Sequence, residues 1–217
     1  MKKIILLSLL FFSTILFSQK KVIKKVETNL QEIEISTTGL DNFVLENSTS
    51  DFIEIVLFAE NPNEQHILLN TENNVVQIAF IIEELQTEET IFRKFITKRL
   101  QRASAVIKIP KGKKATIFGE NINIESKSYQ GNLAIFIEEG IVKFNQVQAE
   151  TAIKLYEGSI YATLKNAKIE VASKLGKIEI NDILYEKTYQ NKSEKNEKTF
   201  TVTSLKANIY LTTQKIQ

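Results

Sequence analysis

The chain has no cysteine, a single histidine, His66, and only three aspartates, Asp41, Asp51 and Asp182. Without cysteine there is no disulfide framework, no lipid-modified cysteine and no Cys-His nucleophile. One histidine and no thiolate cannot build a structural zinc site. A Ser-His-acid triad would have to use His66, which opens HILLN beside the turn-like ENPNEQ and is expected to be structural or merely exposed. The nucleophile elbow G-x-S-x-G is absent. So are the EF-hand loop and the G-G-x-G-x-D solenoid repeat, which leaves calcium without its usual motifs. No catalytic residue, metal site or cofactor is expected.

Long apolar runs are equally scarce. The longest reaches from Ile4 to Phe17, behind Lys2 and Lys3 and ahead of Ser18 and Gln19. At about fourteen residues it falls short of the roughly 20 that a spanning helix needs, so residues 1–18 are expected to be a secretory signal peptide. Nothing later is apolar enough to cross a bilayer. The chain carries 28 Lys and Arg against 26 Asp and Glu. Removing residues 1–18 takes away two lysines and brings the balance to 26 against 26, which gives no reason to expect nucleic acid as a partner. The remaining residues, 19–217, suit one well-buried all-β domain.

Glycine is also sparse, yet three of the seven, Gly140, Gly158 and Gly176, recur at one fixed spacing. Written in rows of nine from Gly131, the chain reads GNLAIFIEE, GIVKFNQVQ, AETAIKLYE, GSIYATLKN, AKIEVASKL and GKIEINDIL, each headed by Gly or Ala. The three glycines thus stand two rows apart. The third column is Leu133, Val142, Thr151, Ile160, Ile169 and Ile178; the fifth is Ile135, Phe144, Ile153, Ala162, Val171 and Ile180. All but Thr151 are apolar, while the column between them mixes Ala134, Lys143, Ala152, Tyr161, Glu170 and Glu179. This alternation predicts half-buried strands, each followed by a corner where a small residue lets backbones approach. The frame returns in KTFTVTSLK and ANIYLTTQK, after a polar stretch, 185–197, that reads as an exposed loop.

Further strands are expected at 30–36, 42–48, 51–59, 66–70, 74–82 and 104–110, and no long amphipathic helix competes with them. An antiparallel meander would fit, but its hairpins usually carry Asn-Gly or Asp-Gly, and neither occurs. A single-stranded parallel β-helix, or β-solenoid, needs no such turns, because each strand stacks on its equivalent one coil later. That is the architecture expected here, with nine-residue strand-turn units and coils of either two or three rows.

The apolar leader, the segment SAVIKIPKGKKATI, the rows GSIYATL and GKIEI, and the closing ANIYL together resemble the bacterial putative-adhesin family of β-helix domains, related to the head domain of putative autotransporter adhesins. The likeness spans roughly residues 30–213. It implies a right-handed parallel β-helix, the hand also favoured for parallel crossovers, and an envelope or surface location: periplasm, outer-membrane surface or extracellular. This chain departs from the family's Gly-Asp corners.

The chemistry-bearing candidates are few. Adjacent carboxylates occur at Glu83/Glu84, Glu88/Glu89 and Glu138/Glu139, but neighbours on a strand point to opposite faces and do not converge on one bond. IFRKFITKRLQR, 91–102, places Phe92, Phe95, Ile96 and Leu100 at helical spacing between Arg93, Lys94, Lys98, Arg99 and Arg102. Such a segment suits either an anionic surface, lipopolysaccharide or phospholipid headgroups, or a cap over an open solenoid end. Tyr156, Tyr161, Tyr185 and Tyr189 are candidates for a sugar-stacking face, although only Tyr161 lies in an outward column. The expectation is a non-catalytic, adhesin-like envelope protein binding a protein or glycan partner through its faces. The alternatives are a carbohydrate-active β-helix enzyme and a binder of anionic surfaces through 91–102.

Overall fold

The computed structural model describes residues 20–82, 103–191 and 198–214. The six strands expected upstream are all present: β2 (Glu32–Ser36), β3 (Asn42–Asn47), β4 (Phe52–Ala59), β5 (Ile67–Glu72), β6 (Val75–Phe80) and β7 (Ser104–Ile109). They follow β1 (Lys20–Glu27) and lead into β8 (Lys114–Asn121) and β9 (Asn123–Ser126). The repeat region contributes β10 (Leu133–Val147), β11 (Thr151–Lys165), β12 (Lys168–Ser173) and β13 (Ile178–Ile180). The chain continues through β14 (Ile183–Tyr185), β15 (Thr188–Gln190), β16 (Thr199–Ser204) and β17 (Asn208–Gln214). All of them join one mixed, curved sheet, accompanied among the described residues by a single turn of 3₁₀ helix, Glu64–His66.

Alternation decides which side chains go inside. All twelve residues of the two expected inward columns, Thr151 included, are buried, and none of the column between them is. Register decides what each one touches. β8, β10 and β11 stack in parallel at an interval of two rows, Ala115 on Leu133 on Thr151 and Ile117 on Ile135 on Ile153. β10 and β11 bend at their glycines, so each supplies a strand to two ladders. One ladder runs β5, β6, β2, β8, the first half of β10, the first half of β11, β16, β12, β15. The other runs β1, β4, β7, β3, β9, the second halves of β10 and β11, then β17, β13, β14. Phe144 of one ladder meets Phe200 of the other edge to face, with ring centres 5.8 Å apart, so the two ladders share one core.

The core columns explain the exceptions in the sequence pattern. Ser126, Phe144 and Ala162 are successive partners in the second ladder, so the large ring lies between two small residues. Thr151 pairs with Phe200, and its hydroxyl donates to the Ala149 carbonyl oxygen at 3.2 Å. Large against small at facing positions is how a core reaches close packing.

The glycine beat is a matter of backbone approach. Gly140 and Gly158 have φ of 144° and 135°, and a Cβ on either would overlap a carbonyl oxygen one rung away, that of Ile122 or of Gly140. At Gly176, φ is ordinary and the overlap alone, with the Ala207 carbonyl oxygen, demands glycine.

Three expectations need correcting. The sheet is not wholly parallel: β1–β4, β4–β7, β5–β6, β12–β15 and β13–β14 are antiparallel, and all lie at the two ends of the stack. Two of these pairs are tight hairpins without any Asn-Gly. Asn73-Asn74 and Asn181-Asp182 supply the positive φ at both central positions that a type I′ turn requires. Thirdly, β15 lies inside the stretch expected to be a loop, paired to β12; residues 192–197 of that stretch are outside the described residues.

Rung order departs from chain order in the same way at both ends. The β6–β7 rung lies outside β2–β3, and the β12–β13 rung lies outside β16–β17. The ladders are tied together beyond these rungs. At one end the Lys24 ammonium donates to the Ile67 carbonyl oxygen at 2.9 Å. At the other, the half-buried rings of Tyr185 and Tyr189 meet edge to face at 4.5 Å.

Candidate binding surface

Outward side chains of equivalent strands line up along the ladders, so register also determines which polar and aromatic groups meet. In the first ladder Ser36, Phe118, Phe136, Lys154 and Thr203 are successive partners on β2, β8, β10, β11 and β16. Phe118 and Phe136 stack with ring centres 5.5 Å apart and planes 15° from parallel. The Lys154 ammonium lies 5.6 Å from the Phe136 ring centre, a cation-π contact on the far side of the pair. Beside this column run Glu120, Glu138 and Tyr156, with Lys206 5.4 Å from the Tyr156 ring centre and 3.1 Å from Glu157. The two columns enclose a shallow, mainly apolar groove of about 580 Å³.

Phe118 is 42% exposed and Tyr156 51%, unusual for rings on a sheet whose inward face is fully covered. Glu120 and Glu138 are exposed, and among the described residues neither carboxylate makes a hydrogen bond or ion pair. Glu138 and Glu139 are both exposed because β10 bends just after them; only Glu138 lines the groove.

A second groove, of about 530 Å³, lies on the other ladder. Its wall is the column Lys143, Tyr161, Tyr210 and Glu179, in which the two tyrosines stack at 5.0 Å and 9°. Thr163, Thr212 and Asn181 run alongside. Asn181 is committed to the fold, since its side chain bridges to Thr213 through bonds of 2.6 and 2.8 Å.

The residues singled out in the sequence are therefore dispersed. The four tyrosines occupy three places: Tyr156 in the first groove, Tyr161 in the second, and Tyr185 with Tyr189 over one end of the core. His66 caps the helical turn, with both ring nitrogens directed at Asn63, at 3.4 and 3.2 Å. Arg93, Lys94, Lys98, Arg99 and Arg102 lie outside the described residues, between β6 and β7 in sequence. The stacked rings are the functional candidates that strand-by-strand reading misses, although Phe118, Phe136 and Lys154 follow the two-row beat. Tyr161 and Tyr210 both stand fourth in their rows, but intervening rows and the polar stretch hide that they are neighbours.

Shifted ionisations in the described residues belong to structural contacts. Burial raises the Tyr129 hydroxyl, which donates to the Lys113 carbonyl oxygen at 2.7 Å. Lys108 hydrogen-bonds Glu54 and holds its carboxyl below the ordinary value, with Lys25 adding to the effect. Neither set lines a groove. Among the described residues no group of three metal-ligating side chains converges, and no helix is long and apolar enough to cross a membrane. The arrangement offers exposed rings, hydroxyls and solvated carboxylates on a rigid sheet, which suits binding.

No family model and no curated protein matches the sequence. In three dimensions the chain is similar to the crystal structure of a "putative cell adhesion protein" from Clostridium sporogenes, with a TM-score of 0.57 and 13% identity over 92% of this chain and 100% of that one. Structures named "putative adhesin" from Bacteroides fragilis and Parabacteroides distasonis align over 91% and 90% of this chain and 98% of each of theirs, at 10% identity. Their TM-scores of 0.29 are too low to carry an argument. At these identities the likeness is one of architecture: this chain shares its all-β fold with the Clostridium sporogenes structure.

Proposed function

We propose that the protein is an exported, non-catalytic component of the cell envelope or surface, adhesin-like, which holds a partner against the outward faces of its ladders. In this reading residues 1–18 are a signal peptide and 19–217 form one right-handed β-solenoid domain. Fold likeness to a protein named for cell adhesion supports it. The observation that carries it is the Phe118–Phe136 groove, an exposed aromatic surface on a rigid face with no enclosed acid or base.

The test has two parts. N-terminal sequencing of the protein from its native envelope fraction should begin near residue 19. Beads coated with the purified protein should adhere to a cell or glycan surface, and a Phe118→Ala coating should adhere less. A cytoplasmic, full-length protein would sink the export reading, and indifferent coatings would sink the adhesin one.

A polysaccharide-cleaving enzyme is the second reading, favoured by Glu120, Glu138 and Lys154 sharing one groove. The exposed carboxylates lack the enclosed setting of a general acid, and Lys154 lies over Phe136 rather than beside either of them in an ion pair. The basic segment with Arg93, Lys94, Lys98, Arg99 and Arg102 is proposed, on its sequence, as a separate contact with an anionic envelope surface.

A further inference from the structure

The aromatic column of the first ladder stops abruptly. Lys154 covers one side of the Phe136 ring and Phe118 the other, so each of the inner faces has a neighbour. On the next rung Phe118 meets Ser36, whose hydroxyl lies 3.1 Å from that of Thr38. One rung further the strand offers Ala79, the residue after Ile78, which pairs with Ile35. Neither side chain is large enough to cover a phenyl ring. Among the described residues the outer face of Phe118 is consequently an open stacking position, floored by a small hydroxyl residue and bordered by Glu120.

We infer that this step is the anchor of a subsite for a neutral oligosaccharide, with the C–H face of one pyranose on the open face of Phe118. This rests on the surface-binder reading and names its ligand class. A sugar ring has an apolar C–H face and a rim of hydroxyls, the combination this corner complements. The ring supplies the apolar contact, and Glu120 and Glu138 accept hydrogen bonds from hydroxyls, since a carboxylate is an acceptor only. The two carboxylates outnumber Lys154, which lines the same groove two strands further along at the far face of Phe136, so the Phe118 end opposes an anionic ligand such as a uronate chain or a nucleotide. The columns from Ser36 to Thr203 cross four rung intervals, roughly 19 Å at about 4.8 Å each, so the groove accommodates a short chain rather than a single ring.

The experiment is isothermal titration of the purified protein with cello-, xylo-, manno- and laminari-oligosaccharides, with oligogalacturonate as the anionic comparison. At least one neutral probe should bind, and oligogalacturonate should bind at least tenfold more weakly. Phe118→Ala should weaken the neutral ligand at least tenfold. Ser36→Tyr, which fills the open position by extending the stack, should do the same while unfolding cooperatively like the parent. Binding that is indifferent to both variants, a preference for the anionic probe, or no binding to any of the four neutral probes would overturn the proposal. Surface adhesion that persists without oligosaccharide binding would leave the adhesin reading standing and remove only this one. Cleavage of a bound probe, followed by chromatography, would instead retain the subsite and remove the non-catalytic reading.

Discussion

The middle of the stack and its ends solve different problems. Through β8, β10 and β11 the chain advances one rung with every two rows of nine, all pairings are parallel, and β10 and β11 turn at glycines. At the ends the repeat gives way: an outermost rung is laid down out of order, and antiparallel strands finish each ladder. A parallel ladder can extend itself by repetition but cannot stop itself, because its last strand always presents an unpaired edge. Closure here is supplied by short-range hairpins and by the chain doubling back.

The two ends differ in how their final edges are protected. β1 is eight residues long and carries Lys20, Lys21, Lys24 and Lys25. β14 and β15 have three residues each, and nearby Leu175, Ile183 and Leu184 are 69%, 57% and 65% exposed. Charge guards β1, one of the two edges at the first end, and brevity guards both edges at the second, two known defences against edge-to-edge pairing. Brevity leaves apolar side chains uncovered, so self-association is expected at the β14 end.

The largest expected effect breaks the regular middle. Gly158→Val places a branched side chain at φ of 135° against the Gly140 carbonyl, and it should cost about 4 kcal/mol or prevent folding, read by urea unfolding. A loss under about 1 kcal/mol would mean that the corner adjusts and the beat has another origin. Next comes the β16–β17 rung, which the chain inserts beneath β12–β13. Phe200 is fully buried against Phe144 and Thr151, and Phe200→Ala should cost about 3 kcal/mol, also by urea unfolding. An effect as small as that of a surface substitution would show that the β16–β17 rung is not part of the cooperative unit.

The charge-protected end gives a smaller, pH-dependent signal. Glu54 bridges Lys108 at 2.7 Å and Lys25 at 3.2 Å, and these contacts lower its folded-state pKa. A lowered pKa means stability present above the ordinary glutamate value, about 4.3, and lost as pH falls through the folded value. The partly solvated pair should contribute under about 1 kcal/mol, seen as a difference between parent and Glu54→Gln at pH 6 that narrows as the pH is taken below the ordinary glutamate value. A difference unchanged across that range would assign the effect to packing. Smallest in stability is Ile183→Lys with Leu184→Lys, expected within about 0.5 kcal/mol of the parent. Sedimentation at high concentration should nevertheless show less association in this variant than in the parent, whereas equal association would move the sticky surface elsewhere.

Much of this fold is legible in the sequence because strand faces are local. Leu133 and Ile135 point inward and Ala134 does not for reasons contained in three consecutive residues. The hairpins were partly legible, since Asn73-Asn74 and Asn181-Asp182 tolerate positive φ almost as glycine does, a signal easily passed over in favour of Asn-Gly. The aromatic groove sits between these cases. Phe118 and Phe136 share the two-row beat, but their contact has meaning only once the coil length is chosen, and the open face of Phe118 depends on Ser36, far upstream in the chain.

By itself, the sequence determined the all-β class, the position of most strands though not of β1, β14 or β15, which side chains of the repeat columns are buried, and where small corner residues are needed. These follow from alternation and from the space a Cβ occupies, both properties of a few adjacent residues. Only the tertiary structure decided the order of the rungs, the antiparallel closures and the composition of the grooves. The inward columns are too alike to specify order: Ile153 could rest on Val171 as readily as on Val202, and it rests on Val202. Interchangeable β-branched side chains make the ladder continuous, and connections and end closures choose which strand lies next to which.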